Sequence, residues 1–428
     1  MRTIKCGLIL SCCIGILLFS LIFVDWLILF FLIPLVLILF AGLLFLYDDK
    51  INLRVIRDVS NIKIFENDKI EINLKIKNLG EKIRFLEIID ELPDKVKITK
   101  GSNYAIINLD KDEEISIKYE IFCPIRGRYE LGPILFRVRG FFGIFFKEAM
   151  VETSTDISII PKVEDIGNII MKAKPNIYPG IMQVKNAGIG TEFYGIRDYY
   201  SGDSFKRINW KSYARFNHLT VNEYELESTT DVILIVDGRQ LQGMGSLKHN
   251  VLEYNIKAAI SITSHFLKKR DRVGLICYGS SVGDINWIYP DCGKKQLHKI
   301  IEEIIILQPN GEFPFNGVVY QSINHLLPKK SLIIFISSLE SDWSILKGLE
   351  QLIAYNHNVI IVSPSPIDIE YSLQKNDENN KLAYRILNFE RNNYINQIRN
   401  LGVRVVNWNP TLPLTVSLKE VEKYQKRR

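Results

Sequence analysis

Between Gly195 and Arg215 the chain reads Gly-Ile-Arg-Asp-Tyr-Tyr-Ser-Gly-Asp-Ser-Phe-Lys-Arg-Ile-Asn-Trp-Lys-Ser-Tyr-Ala-Arg, a dense mixture of cation, carboxylate and aromatic ring. Arg197, Asp198, Tyr199, Gly202, Asp203, Arg207, Trp210, Lys211 and Arg215 are its candidate functional residues. Asp198 and Asp203 could act as an acid pair, but no neighbouring histidine or metal-ligand set completes such a site. Basic residues interleaved with aromatics could hold single-stranded nucleic acid. A formal net charge of only +6 over 428 residues, with acidic and basic side chains interspersed, gives no wider basic tract to support that use. Two readings remain open: a protein-docking hot spot rich in Arg, Trp and Tyr, or an internal salt-bridge network in which guanidinium groups pair with carboxylates and stack on rings.

A second position with chemical potential is Asp237, which ends the apolar run Val232–Val236 and is followed by Gly238, Arg239, Gln240 and Leu241. In open α/β sheets, ligands sit beyond the carboxyl ends of the strands. Elsewhere the sequence carries no phosphate-binding glycine loop and no nucleophile elbow. The six histidines form no pair at ligand spacing, and the six cysteines show no CxxC or Cys/His pattern, so we expect reduced thiols and no zinc. No complete catalytic constellation emerges, which leads us to expect a non-enzymatic protein without a cofactor or small-molecule substrate.

The elements that must position these residues follow from periodicity. From Thr230 onward, short apolar runs at Val232–Val236, Val273–Tyr278, Leu332–Ile336, Val359–Val362 and Val403–Val406 alternate with amphipathic stretches. One of these places Leu252, Ile256, Ala259, Ile260, Thr263 and Leu267 on a single helical stripe. This alternation predicts an α/β doubly wound domain over residues 229–428. Ahead of it, residues 166–228 read as a linker around Lys172 to Gly180 followed by the polar block. Residues 51–165 show strict alternation, as in Ile70, Ile72, Leu74 and Ile76 against charged neighbours, with turn signals between the runs. An immunoglobulin-like β-sandwich is the expected result. The aromatics of Phe141-Phe142-Gly143-Ile144-Phe145 at its end are read as filling a core.

Residues 1–50 predict a transmembrane helical hairpin; the alternatives, a cleaved signal peptide or a lipoprotein signal at Ile9-Leu10-Ser11-Cys12, leave a second span unexplained. The apolar run from Cys6 to Tyr47 exceeds one span of about 20 residues and divides at Asp25 into helices near Leu8–Val24 and Leu27–Tyr47. Arg2 and Lys5 before the first helix and Lys50, Arg54 and Arg57 after the second place both ends in the cytoplasm by the positive-inside rule. The expected location is therefore the inner (cytoplasmic) membrane, multi-pass, with most of the chain on the cytoplasmic side.

The series Arg-Asp-Tyr-Tyr-Ser-Gly-Asp-Ser-Phe-Lys-Arg-Ile-Asn-Trp-Lys-Ser-Tyr-Ala-Arg, followed by Asn222-Glu223-Tyr224-Glu225, resembles the signature of the family called domain of unknown function 58. The two-helix start, the Arg-Gly and Leu-Gly-Pro pieces at 126–133 and the Phe-Gly-Ile-Phe that follows extend the resemblance over nearly the whole chain. It implies a membrane-anchored protein with a von Willebrand factor A-like domain, working beside a MoxR-type AAA+ ATPase in the assembly or activation of other proteins. Metal-binding domains of that fold carry Asp-x-Ser-x-Ser where this chain has Asp237, Arg239 and Leu241, and a later acidic ligand is replaced by Ser338. A hard divalent cation needs converging carboxylate and hydroxyl oxygens, so the resemblance implies a degenerate site without metal. The expected function is a membrane-anchored scaffold or adaptor. A cation-dependent adhesion-type module and an uncharacterised hydrolase are the alternatives.

Overall fold

A computed structural model describes residues 4–24, 26–47, 51–139, 143–167, 187–225, 231–246, 248–279, 285–325, 327, 331–340, 342–374 and 377–419. The chain divides into two compact units, residues 1–162 and 163–428.

The first unit opens with helices Ile4–Phe23 and Leu32–Tyr47, the second preceded by a short 3-10 stretch, Trp26–Phe31. The stretches Ile4–Phe23 and Trp26–Leu44 are long and apolar enough to cross a membrane. Asp25, the expected turn, lies outside the described residues. The β region that follows builds two four-stranded sheets and a smaller three-stranded one. Alternation does the work: in strand Lys69–Asn78 the side chains of Ile70, Ile72, Leu74 and Ile76 are buried while Lys69, Glu71, Lys75 and Lys77 are not. They meet Leu86, Ile88, Phe136 and Val138 of the second sheet in one core, which makes the region a β-sandwich. A buried ion pair crosses this core, with Arg57 donating to Asp90 at 2.5 Å and to the carbonyl oxygens of Leu131 and Thr153 at 2.7 Å. Tyr119 also donates to Asp90. Phe145 of the 141–145 motif is buried in an apolar cluster, as its aromatic character predicts. Ile144 and Phe145 pack not into the sandwich but against Cys6, Ile9 and Leu39 of the apolar helices, while Phe141 and Phe142 lie outside the described residues.

The second unit contains a six-stranded sheet of Asp231–Asp237, Arg272–Tyr278, Asn286–Asp291, Leu332–Ile336, Asn358–Pro364 and Arg404–Trp408. Numbered along the chain, their spatial order is 3-2-1-4-5-6, with only the edge strand Asn286–Asp291 antiparallel. Helices Phe315–His325, Trp343–Ala354 and Glu378–Asn400 bury Val318, Leu349 and Ile395 against Ile233, Ile235, Phe335 and Ile361 on one face. The next residue along each strand points the other way. Helices Val251–Lys268 and Lys294–Ile305 cover that second face. Parallel strands bring their carboxyl ends to one edge, and the order reverses between Asp231–Asp237 and Leu332–Ile336. That is the place where such sheets form a crevice.

The polar block contains a β-hairpin, which its composition had not indicated. Strand Ala187–Asp198 pairs antiparallel with Thr220–Glu225, and a 3-10 turn, Phe205–Arg207, and a short helix, Trp210–Phe216, lie between them. Asn209 caps that helix by accepting from the Ser212 amide, and Asn217 ends it in the left-handed conformation. The expected linker at 172–180 lies outside the described residues.

Candidate functional site

At the strand-end crevice Asp237 is fully buried, and its partners belong to this chain. Its Oδ1 accepts from the Arg239 backbone amide at 3.1 Å and from Arg239 Nε at 3.0 Å, while Oδ2 accepts from Arg239 Nη2 at 2.9 Å and Ser337 Oγ at 2.8 Å. Arg239 Nη1 donates to Asp342, and the guanidinium lies 5.7 Å from the centre of the Tyr278 ring. Gln242 extends the network, donating to Ser338 Oγ at 2.9 Å and accepting from the Asn255 amide at 3.0 Å. Leu241, where the metal-binding pattern has its second serine, is instead half exposed on the 3-10 turn Gln240–Gly243. The turn can approach the sheet because Gly279 (φ +83°) has no side chain, as a Cβ there would stand 2.5 Å from the Arg239 nitrogen.

The charges in this cluster are mutually fixed. Burial works against the Arg239 cation, but Tyr278, Asp237 and Asp342 more than offset it and hold the guanidinium charged. Burial likewise opposes ionisation of Asp342, yet hydrogen bonds from Ser344 and Arg239 keep it below the usual carboxylate range. Glu340 shifts the other way, raised by burial and by the nearby Asp237 charge. Arg391 enters from the distant helix Glu378–Asn400, donating to the Ser338 carbonyl and, at 2.7 Å, to Ser363 Oγ. The one local mark of Arg391 is its place three, four and seven residues before Tyr394, Ile395 and Ile398, on the same helical stripe as those buried residues.

The polar block separates into two populations. Arg197 grips Asp203 through both terminal nitrogens at 2.7 Å and Glu223 through Nε at 2.9 Å, and its guanidinium lies 5.6 Å from the Tyr200 ring centre. Asp203 also accepts from the Tyr200 amide at 2.9 Å. Gly202 (φ +113°) supplies the left-handed backbone this tight turn needs. The Arg197 guanidinium and then the Tyr200 amide hold the Asp203 carboxyl down at about 2. A carboxylate so acidic is poorly matched to general-base work near neutral pH. Asp198 is exposed and stands 3.6 Å from His218. Tyr199 and Phe205 rings lie 6.3 Å apart, and Arg207 is half-buried in the 3-10 turn. The second population faces outward: Phe205 is 73%, Trp210 61% and Phe216 74% exposed, with Lys211 and Arg215 exposed beside them. Trp210 meets Tyr213 edge-on at 6.3 Å.

Residues 195–371, which hold both the hairpin block and the strand-end crevice, match the family described as protein of unknown function DUF58. The chain carries a DUF58 region. The uncharacterized protein YeaD of Bacillus subtilis (strain 168) is 21% identical over 272 residues, 63% of this chain and 65% of that protein. The chain thus spans about two-thirds of the curated relative it matches. Among solved structures, the CARDB domain of PF1109 from Pyrococcus furiosus overlaps 26% of this chain and 96% of its own at 18% identity and a TM-score of 0.19. The Escherichia coli alpha-2-macroglobulin fragment overlaps 26% of this chain and 17% of its own, at 14% identity and a TM-score of 0.23. Such scores are too low to define a shared fold, so the architecture of the DUF58 region rests on its own sheet topology.

Proposed function

We propose that this DUF58 protein is a non-enzymatic adaptor anchored in the cytoplasmic membrane by its two apolar helices, with both ends of the hairpin and the bulk of the chain on the cytoplasmic side. In this reading the α/β unit is a von Willebrand factor A-like domain whose cation position is taken by Arg239. The hairpin block is its docking face for a protein partner, and a MoxR-type AAA+ ATPase is the partner class that the family resemblance implies. One observation carries the proposal: a bidentate Arg197–Asp203 clamp braces a turn whose neighbouring rings, Phe205, Trp210 and Phe216, are left in solvent beside Lys211 and Arg215. Exposed aromatic and cationic side chains on a rigid base are the usual make-up of an interaction hot spot. The strand-end crevice, by contrast, is occupied by the chain's own guanidinium and amide groups.

The test is capture of the native membrane complex with wild-type protein and with Trp210→Ala combined with Lys211→Glu. Both positions lie outside the clamp, so folding should be preserved. The double variant is expected to lose an AAA+ ATPase that the wild type retains, whereas an unchanged set of partners refutes the docking face. Arg197 is a poor choice for this purpose, because changing it dismantles the turn itself.

A further inference from the structure

The 23-residue helix Glu378–Asn400 begins beyond the residues that match the DUF58 family, and among the described residues it is buried along one face. Arg391, Tyr394, Ile395 and Ile398 are buried. On the opposite side Leu382 is 59%, Ile386 52% and Phe389 69% exposed. A helix turns about 100° per residue, which puts these three on one narrow stripe facing away from Arg391. Their spacing of four and then three residues is that of consecutive d, a and d positions in a heptad. Asn379 and Asn393 continue the stripe at the a positions on either side.

We propose that this stripe is the seam of a parallel, two-stranded helix pair formed with a second copy of the chain. The identity of the residues selects both partner and orientation. Ile386 at a with Leu382 at d favours two strands, and a polar asparagine at a, here Asn393, fixes register. With Ile386 at a, Arg385 falls at g and Glu390 at e. In a parallel in-register pair each g side chain reaches the e side chain five positions further along its neighbour. Arg385 therefore meets Glu390 of the partner subunit, twice per dimer. An antiparallel pair centred on the same stripe brings the two Arg385 side chains together, a like-charge contact that the sequence does nothing to relieve. The apolar seam spans little more than one heptad, so association is weak in dilute solution. Confinement of both copies to one membrane raises their effective concentration. This inference rests on the membrane anchoring proposed above but uses none of the docking-face residues, so loss of the docking face would leave it standing.

The experiment is disulfide mapping of the full-length protein in native membranes, in a background where the exposed Cys12 and Cys292 are changed to serine. Leu382→Cys and Ile386→Cys are expected to give intermolecular disulfides on mild oxidation. Lys381→Cys, equally exposed but off the seam, serves as the control. In the Leu382→Cys background, Arg385→Glu or Glu390→Arg alone should lower the crosslinked yield by about tenfold, the scale of two exposed ion pairs turned repulsive, and the two together should restore it. Equal crosslinking at Lys381, none at Leu382 and Ile386, or failure of the double exchange to restore the yield would each overturn the proposal. A Leu382→Cys chain that crosslinks only to a Phe389→Cys chain would reverse the orientation and so overturn it as well. Arg385 and Glu390 are exposed, so unchanged near-ultraviolet circular dichroism of the single variants confirms that the fold is not the cause.

Discussion

Replacing Arg239 with alanine removes the guanidinium that, among the described residues, pairs with the fully buried Asp237 carboxylate. Asp237 then keeps the Ser337 hydroxyl at 2.8 Å and the Gln242 amide at 3.3 Å, but no opposite charge within its hydrogen-bonding shell. Breaking a buried ion pair in this one-sided way costs about 3–5 kcal/mol, mostly because an uncompensated charge stays buried. For a domain of this size that corresponds to a fall in Tm on the order of 10 °C. Buried Trp408 reports on this unit, so guanidinium unfolding of the full-length protein in detergent, followed by tryptophan fluorescence, measures the loss. The discriminating arm is Asp237→Asn combined with Arg239→Ala, which removes the stranded charge and should recover part of the stability. A loss below about 1 kcal/mol, or a double variant less stable than Arg239→Ala, would refute the claim that charge compensation organises this crevice.

Within the β-sandwich, Asp90→Ala strands the buried Arg57 and should destabilise by about 3–5 kcal/mol, whereas Tyr119→Phe, losing one bond to a charged acceptor, should cost about 1.5–3 kcal/mol. Denaturant titration separates the two. Gly279→Ala forces a side chain into left-handed backbone against the Arg239 nitrogen and should cost about 1–3 kcal/mol, read by thermal unfolding. Because Asp203 is held down at about 2, its clamp contributes stability above the unfolded carboxylate pKa and loses it as pH falls from about 4 toward about 2. Protection of amides in the 197–203 turn, taken relative to the intrinsic exchange rate at each pH, should therefore fall over that window, and Asp203→Asn should lower it already at neutral pH and remove its dependence on acid.

The parallel strands were legible because each is a short, mostly aliphatic run buried on both faces: Leu332–Ile336 has the expected bounds, and those of the other four differ from expectation by at most two residues. The edge strand Asn286–Asp291 was not. It alternates weakly and contains Pro290, which a strand interior rejects and an edge tolerates. The hairpin of the polar block escaped for a different reason: Arg197 pairs with Val221, and Arg197 and Glu223 are joined across an intervening helix, so no local period records the match. The acidic and basic residues of the block were visible as a set, but their division into Arg197, Asp203 and Glu223 on the inside and Trp210, Lys211 and Arg215 on the outside is a tertiary fact. At the crevice, Asp237 and Arg239 lie two residues apart and could be read together. Asp342, Gln242 and Arg391 arrive from elements 5 to 154 residues along the chain from Asp237 and could not.

Arg391 deserves a mechanical reading. Its guanidinium holds the Ser338 carbonyl, the Ser363 hydroxyl and, at 3.2 Å, the Asn407 amide oxygen, so a single side chain rivets its helix to the ends of three adjacent strands. An axial slip of the helix by even one residue, about 1.5 Å, would shear all three contacts together. Through Ser338, which also accepts from Gln242, the axial position of that helix is tied to the lining of the crevice.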